Sequence, residues 1–259
     1  MKVLKESSGF LDQQANIAGK KSLIAGLLGI TLFLVSIGLS SYTGLALFGI
    51  LASLGLLWFS YTRLKSFGRW KRGKRGEKAV TNKLLSLDNT YYLINDVKLP
   101  GQQGNIDHVV VGRSGVFAIE TKNYSGSVIC YGDKWYQGRH TWLSPPRRRF
   151  PISSISSQAR GNAAMLGNSL RNRGFNIWVQ PIVVFSGRWT RLWLQHPTVP
   201  VVKLSKLPSL LALGETKLTD KYNAAVSDAI LSLATALKQS VSGLSRSENA
   251  SPPLLKPLL

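Results

Sequence analysis

A long apolar stretch lies near the beginning of the chain. Residues 22–61 carry no charged side chain and divide into two apolar runs, Ser22–Leu39 and Leu45–Tyr61. Each run approaches the roughly 20 residues that a helix needs to span a bilayer. Neither run has a polar face, as a soluble helix would. A secretory signal peptide, the competing interpretation, has only about half this apolar length. The pattern predicts a transmembrane helical hairpin.

Beyond residue 75, some segments have the apolar spacing of strands and others have that of helices. Period-two or continuous apolar runs predict strands at Tyr91–Leu99, 106–122, Ser127–Tyr131, Lys134–Gln137, Ile177–Phe185 and Val199–Leu204. Helical spacing predicts helices at Arg75–Leu87, Ile152–Arg173, Leu207–Leu213 and Asp220–Leu237. The mixture predicts an α/β fold in which helices flank a mixed central sheet.

These patterns divide the chain into six segments. They are a basic N-terminus (1–21), the transmembrane hairpin (22–61), a basic juxtamembrane linker (62–75), the α/β domain (76–205), C-terminal helices (206–239) and a disordered tail (240–259).

Basic residues outnumber acidic ones, 33 to 12, which gives a formal net charge of +21. Such an excess predicts a polyanionic partner, either nucleic acid or an anionic membrane. Lysines and arginines flank the apolar hairpin on both sides, and its connecting turn has none. The positive-inside rule therefore predicts a two-pass protein whose termini and α/β domain are cytoplasmic. The basic run 63–75 is predicted to bind membrane lipids, at about 1 kcal/mol per residue, with nucleic acid as the alternative.

One cysteine, Cys130, excludes a disulfide framework, and three scattered histidines have no zinc-site spacing. The candidate chemistry lies instead in the hairpin-like segment 104–124. If residues 112–115 form its loop, Asp107 faces Glu120, and Lys122 shares the face of Glu120. Two converging carboxylates favour a hard divalent metal, Mg²⁺ or Mn²⁺, with Lys122 aimed at a phosphate or a water. Solvated charges at the rim of a sheet are the alternative.

The same residues carry a family resemblance. Roughly residues 73–187 resemble the nuclease-related domain (NERD) family. The resemblance rests on Glu77 at the start of a predicted helix, followed in order by GNIDHVVVG, GVFAIETKNYSG and Trp135. That family belongs to the PD-(D/E)xK, restriction-endonuclease-like superfamily. Asn105-Ile106 stands before Asp107 where the pattern of the superfamily has proline.

The resemblance implies roles for five residues. Asp107, Glu120 and Lys122 would form the catalytic core, with Asp107, Glu120 and Glu77 as metal ligands and Lys122 orienting water or stabilising the phosphorane. Gln158 would support the site. For Glu77, the favourable place of an acid in a helix's first turn is the alternative explanation.

Arginines and aromatic residues cluster in two later segments. The first cluster, Arg139, Trp142, Arg147, Arg148 and Arg149, is predicted to bind nucleic acid through phosphate contacts and stacking. The second cluster, Arg188–Trp193, suits nucleic acid or a membrane interface. The leading hypothesis is a membrane-anchored, metal-dependent nuclease that prefers DNA to RNA and has little sequence specificity. The alternative is a catalytically silent module that binds nucleic acid or membrane. Oligomeric state is left open.

Overall fold

The computed structural model describes residues 1–38, 43–102, 104–141, 143–213 and 218–247. The chain forms two compact units, one of Ser7–Ala79 and one of Met1–Glu6 with Val80–Leu259. The second unit therefore combines residues that precede the first unit in sequence with residues that follow it. Its mixed α/β composition confirms the predicted fold class, with the difference that the strands form two sheets instead of one.

The first unit consists of two long helices, α1 (Phe10–Gly38) and most of α2 (Thr43–Leu84). They pack through small residues: the Ser22 hydroxyl donates to the Ser60 carbonyl at 3.0 Å, and the Ser60 hydroxyl donates to the Ser22 carbonyl at 2.8 Å. Gly49 lies directly against Ser36, where any side chain would collide. Small residues at such a seam let two helix backbones approach closely.

Both helices are long and apolar enough to cross a membrane. Only 22% of the apolar window of α1 and 11% of that of α2 is buried, whereas the core helix of a soluble protein would be mostly buried. The apolar faces are therefore exposed to the surroundings, which supports membrane association of this hairpin.

The basic segment 62–75, predicted as a linker before a new helix, is instead the continuation of α2. The segment has no proline and is rich in arginine and lysine, which are good helix formers, so the helix continues through its two glycines. Glu77 consequently lies inside α2 and not in the first turn of a helix.

The larger sheet has six strands in the order β1-β2-β3-β4-β8-β10. Its strands are β1 (Lys2–Lys5), β2 (Tyr92–Val97), β3 (Ile106–Gly112), β4 (Gly115–Lys122), β8 (Val179–Phe185) and β10 (Val201–Lys203). Strands β2, β3 and β4 are antiparallel to one another, and β1, β8 and β10 pair in parallel with their neighbours. The N-terminal strand β1 was missed by the sequence patterns, because two apolar residues between two lysines carry no clear period.

The smaller sheet has four strands in the order β7-β6-β5-β9. They are β5 (Gly126–Tyr131), β6 (Lys134–Gly138), β7 (Arg149–Ile152) and β9 (Thr190–Gln195). Two of these, β7 and β9, arise from the segments predicted only as basic-aromatic clusters. In β9, Leu192 and Leu194 alternate with Arg191, Trp193 and Gln195, which is the period of two of a strand.

Helices cover both faces of the larger sheet. They are α3 (Ile155–Arg171), α4 (Leu207–Ala212) after a short 3-10 helix (Leu204–Lys206), and α5 (Asp220–Ser247). The predicted α3 face, Ile155, Ala159, Ala163, Leu166 and Leu170, is entirely buried. Helix α5 continues to Ser247, so the segment predicted as a disordered tail begins in a helix, and its residues 248–259 lie outside the described residues.

Candidate functional site

The hairpin of β3 and β4 has the predicted register and a shorter loop. Val111 pairs with Val116 and His108 with Ile119, so the next step along both strands brings Asp107 level with Glu120. Gly112 pairs with Gly115, which leaves Arg113 and Ser114 as the turn, where the sequence predicted four loop residues. Gly115 has φ +136°, a conformation that favours glycine and explains this residue at the turn.

Glu120 is buried at the C-terminal part of β4 and is paired with Lys122. The Lys122 ammonium lies 2.6 Å from Glu120 Oε1, and the side chains are 19% and 3% exposed respectively. Burial raises the pKa of the Glu120 carboxyl, although the neighbouring ammonium and Asn162 oppose that shift. Burial also acts to lower the pKa of Lys122, but the charges of Glu120 and Asp107 outweigh it, and the pKa is raised.

Two further predicted residues meet this pair. Gln158, one turn into α3, accepts a hydrogen bond from the Lys122 ammonium through Oε1 at 3.0 Å. Asp107 is half-buried, and its Oδ2 accepts a hydrogen bond from the backbone N–H of Thr121 at 2.7 Å. The structure thus brings Asp107, Glu120, Lys122 and Gln158 together at the end of one hairpin.

Sequence patterns missed two members of this cluster. The Asn162 amide donates to Glu120 Oε2 at 3.2 Å, and the Gln102 amide donates to Asn162 Oδ1 at 2.8 Å. Asn162 lies four residues after Gln158 on α3, which places both on the same helix face. That spacing is the signal from which Asn162 could have been found; Gln102 has no such signal.

His108 lies on the other side of β3, as its place next to Asp107 requires. It is buried, with Nδ1 2.7 Å from Asn95 Oδ1, and burial lowers its pKa to about 3 despite the opposing charge of Asp96. A histidine held neutral and facing the core beneath the site is a structural residue.

The remaining predicted residues lie elsewhere. Glu77 is half-buried on α2 in the other compact unit, and its role as a metal ligand stays a prediction. Arg147, Arg148 and Arg149 are exposed at and before β7, and Arg139 is exposed after β6. Trp142 lies outside the described residues.

The carboxylates suit a hard cation by their chemistry. Among the described residues no group of three or more His, Cys, Asp or Glu side chains is placed to hold a metal. Mg²⁺, however, is bound through one or two carboxylates with waters completing its octahedron, so Asp107 and Glu120 are a sufficient protein contribution. Each oxygen of Glu120 accepts one hydrogen bond, from Lys122 and from Asn162, so an entering cation would compete with the Lys122 ammonium for this carboxylate.

The fold and this cluster define the class: an α/β protein of two sheets with two apolar N-terminal helices and an acid–lysine cluster on adjacent strands. The family model of the nuclease-related domain (NERD) matches residues 72–186, a little under half of the chain. The chain is 42% identical over 82 residues to an uncharacterized protein of Bacillus anthracis. The match covers 29% of this chain and 37% of that protein, so the chain spans well under half of the relative's length. No solved structure matches the chain.

Proposed function

We propose that this protein is a membrane-anchored, metal-dependent nuclease that hydrolyses phosphodiester bonds, preferring DNA to RNA and with little sequence specificity. The observation that carries the proposal is the buried Glu120–Lys122 pair beside Asp107 in the part of the chain that the nuclease-related domain model matches. Charged groups are costly to bury, and a structural role would not require them in a sheet otherwise filled by valine and isoleucine. Perturbed, paired groups of this kind concentrate at functional sites.

The residues of the site would divide the work as follows. Asp107 and Glu120 would hold Mg²⁺ or Mn²⁺, and such a metal, when bound, activates water and neutralises charge on the phosphate. Lys122, released from Glu120, would donate hydrogen bonds to the oxygens of the reacting phosphate as negative charge develops there. Gln158 would orient Lys122, and Asn162 would orient Glu120.

The chain connectivity supports the proposed topology. Strands β1 and β2 are hydrogen-bonded neighbours, and the apolar hairpin lies between them in sequence. Both ends of the hairpin must therefore return to the same side of the membrane. Lysines and arginines flank both ends, which favours the cytoplasmic side.

The test is nicking of supercoiled plasmid by the full-length chain purified in detergent, with and without Mg²⁺ or Mn²⁺. A fragment that begins after the hairpin is unsuitable because it lacks β1. Wild-type protein is expected to nick in a metal-dependent manner, and Asp107→Asn, Glu120→Gln and Lys122→Ala are expected to lose at least about 100-fold in rate. Arg171→Gln, at an exposed position on α3, is the control. Equal activity in all variants would refute the assignment.

A second candidate function is a nucleic-acid-binding module without turnover. The hydrogen bonds of Glu120 favour this candidate, since both of its carboxylate oxygens already have partners, Lys122 and Asn162. Salt-sensitive binding of DNA without cleavage under any divalent cation would support this candidate over the nuclease.

A further inference from the structure

The second sheet brings the two predicted basic-aromatic clusters onto one surface. Ile129 on β5 pairs with Trp193 on β9 and with Tyr136 on β6, and Tyr136 pairs with Pro151 on β7. Residues that are directly opposite in a sheet point to the same side. Two positions away from Ile129 along β5 lie Ser127 and Tyr131, which share this side. Their partners lie there as well: Arg191 and Gly138 opposite Ser127, and Lys134 opposite Tyr131. We name this side the outer face.

The other side of the same sheet is closed. Val128, Cys130 and Trp135 pack there against Ile155 and Ala159 of α3. The outer face is instead half-exposed at its aromatic residues, Tyr131, Tyr136 and Trp193, while Ile129 between them is only 1% exposed. The three rings thus surround a buried aliphatic side chain and remain partly accessible themselves.

Guanidinium groups lie on these rings. Arg149 lies 5.2 Å from the ring centres of both Tyr131 and Tyr136, and it donates a hydrogen bond to the Tyr131 hydroxyl at 3.1 Å. Arg191 lies 5.4 Å from the ring of Trp193 on the far strand. Cations at both edges therefore frame an aromatic centre.

The charge around this face is one-sided. Residues 126–152 and 188–196 contain seven lysines and arginines and one acid, Asp133. Arg160 already binds both oxygens of Asp133, at 2.8 and 2.7 Å, and holds the pKa of that carboxyl down at about 2. The partner of this face must therefore supply negative charge and flat groups that stack on rings.

We infer that the outer face, built from Tyr131, Tyr136, Trp193, Arg149 and Arg191, binds a single-stranded segment of nucleic acid. This inference rests on the proposed function, for which it supplies the substrate site. Unpaired bases expose the faces that stack on aromatic rings, whereas a duplex hides them, and phosphates pair with the flanking guanidinium groups. The start of β5 lies near the acid–lysine cluster, because the five residues from Lys122 to Ser127 span at most about 18 Å.

Binding can be separated from cleavage. The full-length chain in detergent, with EDTA present, is titrated against a fluorescein-labelled single-stranded 20-mer of thymidine and against a blunt 20-base-pair duplex, and anisotropy is followed. We expect tighter binding of the single strand. Tyr136→Leu, which removes the ring but keeps an apolar side chain, should weaken single-strand binding roughly 5- to 100-fold, and Tyr136→Phe should leave it unchanged.

The controls lie outside the outer face. Trp178→Leu removes a tryptophan that is 75% exposed, and Arg171→Gln removes an exposed cation of α3. Neither should change single-strand binding by more than about twofold, whereas Arg149→Gln should weaken it and reduce the salt dependence by about one charge. Equal binding of duplex and single strand, or equal losses in face and control variants, would overturn the inference.

The membrane is the competing partner. Unchanged oligonucleotide binding in the face variants, together with quenching of tryptophan fluorescence by brominated phospholipid in nanodiscs that Trp193→Phe reduces, would assign the face to lipid and overturn the inference. If binding behaves as expected but plasmid nicking fails, the face stands and only the proposed hydrolysis falls. If nicking proceeds but the face variants bind normally, only this inference falls.

Discussion

The two sheets of the α/β unit place their charges in opposite ways. In the six-stranded sheet, Glu120 is 3% exposed, lies in a layer covered by α3, and has a partner for each oxygen. In the four-stranded sheet, Arg149 stands on an open face and rests on the rings of two tyrosines. The first arrangement fixes a few charges at a defined point, and the second spreads many charges over an area.

Each sheet is therefore suited to a different task. Reaction chemistry needs groups that are desolvated and held in one geometry, since electrostatic effects are strongest away from water. Retention of a flexible polyanion needs exposed charge and flat surfaces that tolerate many sequences. The same contrast predicts that substitutions in the first sheet change stability and chemistry, while substitutions in the second change binding alone.

The largest effect on stability is expected from Lys122→Met. This change leaves the buried Glu120 without its cation, and breaking a buried pair in this way costs about 3 kcal/mol. Urea unfolding of the full-length chain in detergent, followed by tryptophan fluorescence, measures the loss. The double variant Glu120→Leu, Lys122→Met should recover most of it; an equally unstable double variant would mean that packing and not charge is responsible.

A pH-dependent effect of similar size is expected from His108, on the reverse of β3. Because its folded pKa, about 3, lies below the ordinary value of 6.5, the fold favours the neutral ring. Its contribution to stability is therefore complete above pH 6.5 and is lost as pH falls toward 3, by up to about 1.4 kcal/mol per pH unit. Thermal unfolding between pH 4 and 7 should show a shallower decline for His108→Gln than for wild type, and parallel curves would contradict this.

A smaller effect, on activity, is expected from Asn162→Ala. Asn162 touches Glu120 and Gln102 and is a positioning residue, whose removal should lower metal affinity or cleavage about 10- to 100-fold. The Mg²⁺ concentration for half-maximal nicking should rise more than the maximal rate falls. Asn168→Ala, exposed on the same helix, is the matched control, and equal behaviour of the two would remove Asn162 from the site.

The smallest effect on stability is expected from Arg149→Gln. An exposed cation on an open face contributes little to folding, so the free energy of unfolding should change by less than about 0.5 kcal/mol. Oligonucleotide binding should weaken in the same protein sample. A loss of stability comparable to that of Lys122→Met would erase the contrast between the sheets.

Local patterns predicted the parts of the fold that local physics decides. The valine and isoleucine runs around the short turn gave the register that places Asp107 level with Glu120, because a strand has a strict period of two. The spacing of Ile155, Ala159 and Ala163 likewise gave the buried face of α3. In the site, Gln158 was found through the family resemblance.

Two of the errors, the missed strands β1 and β7, have a common cause in long-range pairing. Strand β1 exists because Lys2 pairs with Tyr92, far along the chain, and β7 depends on its pairing with β6. No local signal announces such partners. The extent of α2 was predicted wrongly for a different reason. The change from apolar to basic residues suggested a boundary, but residues on both sides of it favour a helix, so α2 continues across it.

The position of β1 before the helical hairpin has a consequence for how the protein folds during synthesis. This strand is synthesised before the helical hairpin, and its partner β2 follows only after the whole hairpin. Packing of α1 on α2 brings Phe10 beside Trp70 and Asp12 beside Lys74, which shortens the loop that must close before β1 can join β2. If the hairpin failed to form, β2 would remain an unpaired edge strand, at which other chains could add and aggregate. Completion of the six-stranded sheet therefore depends on formation of the helical hairpin.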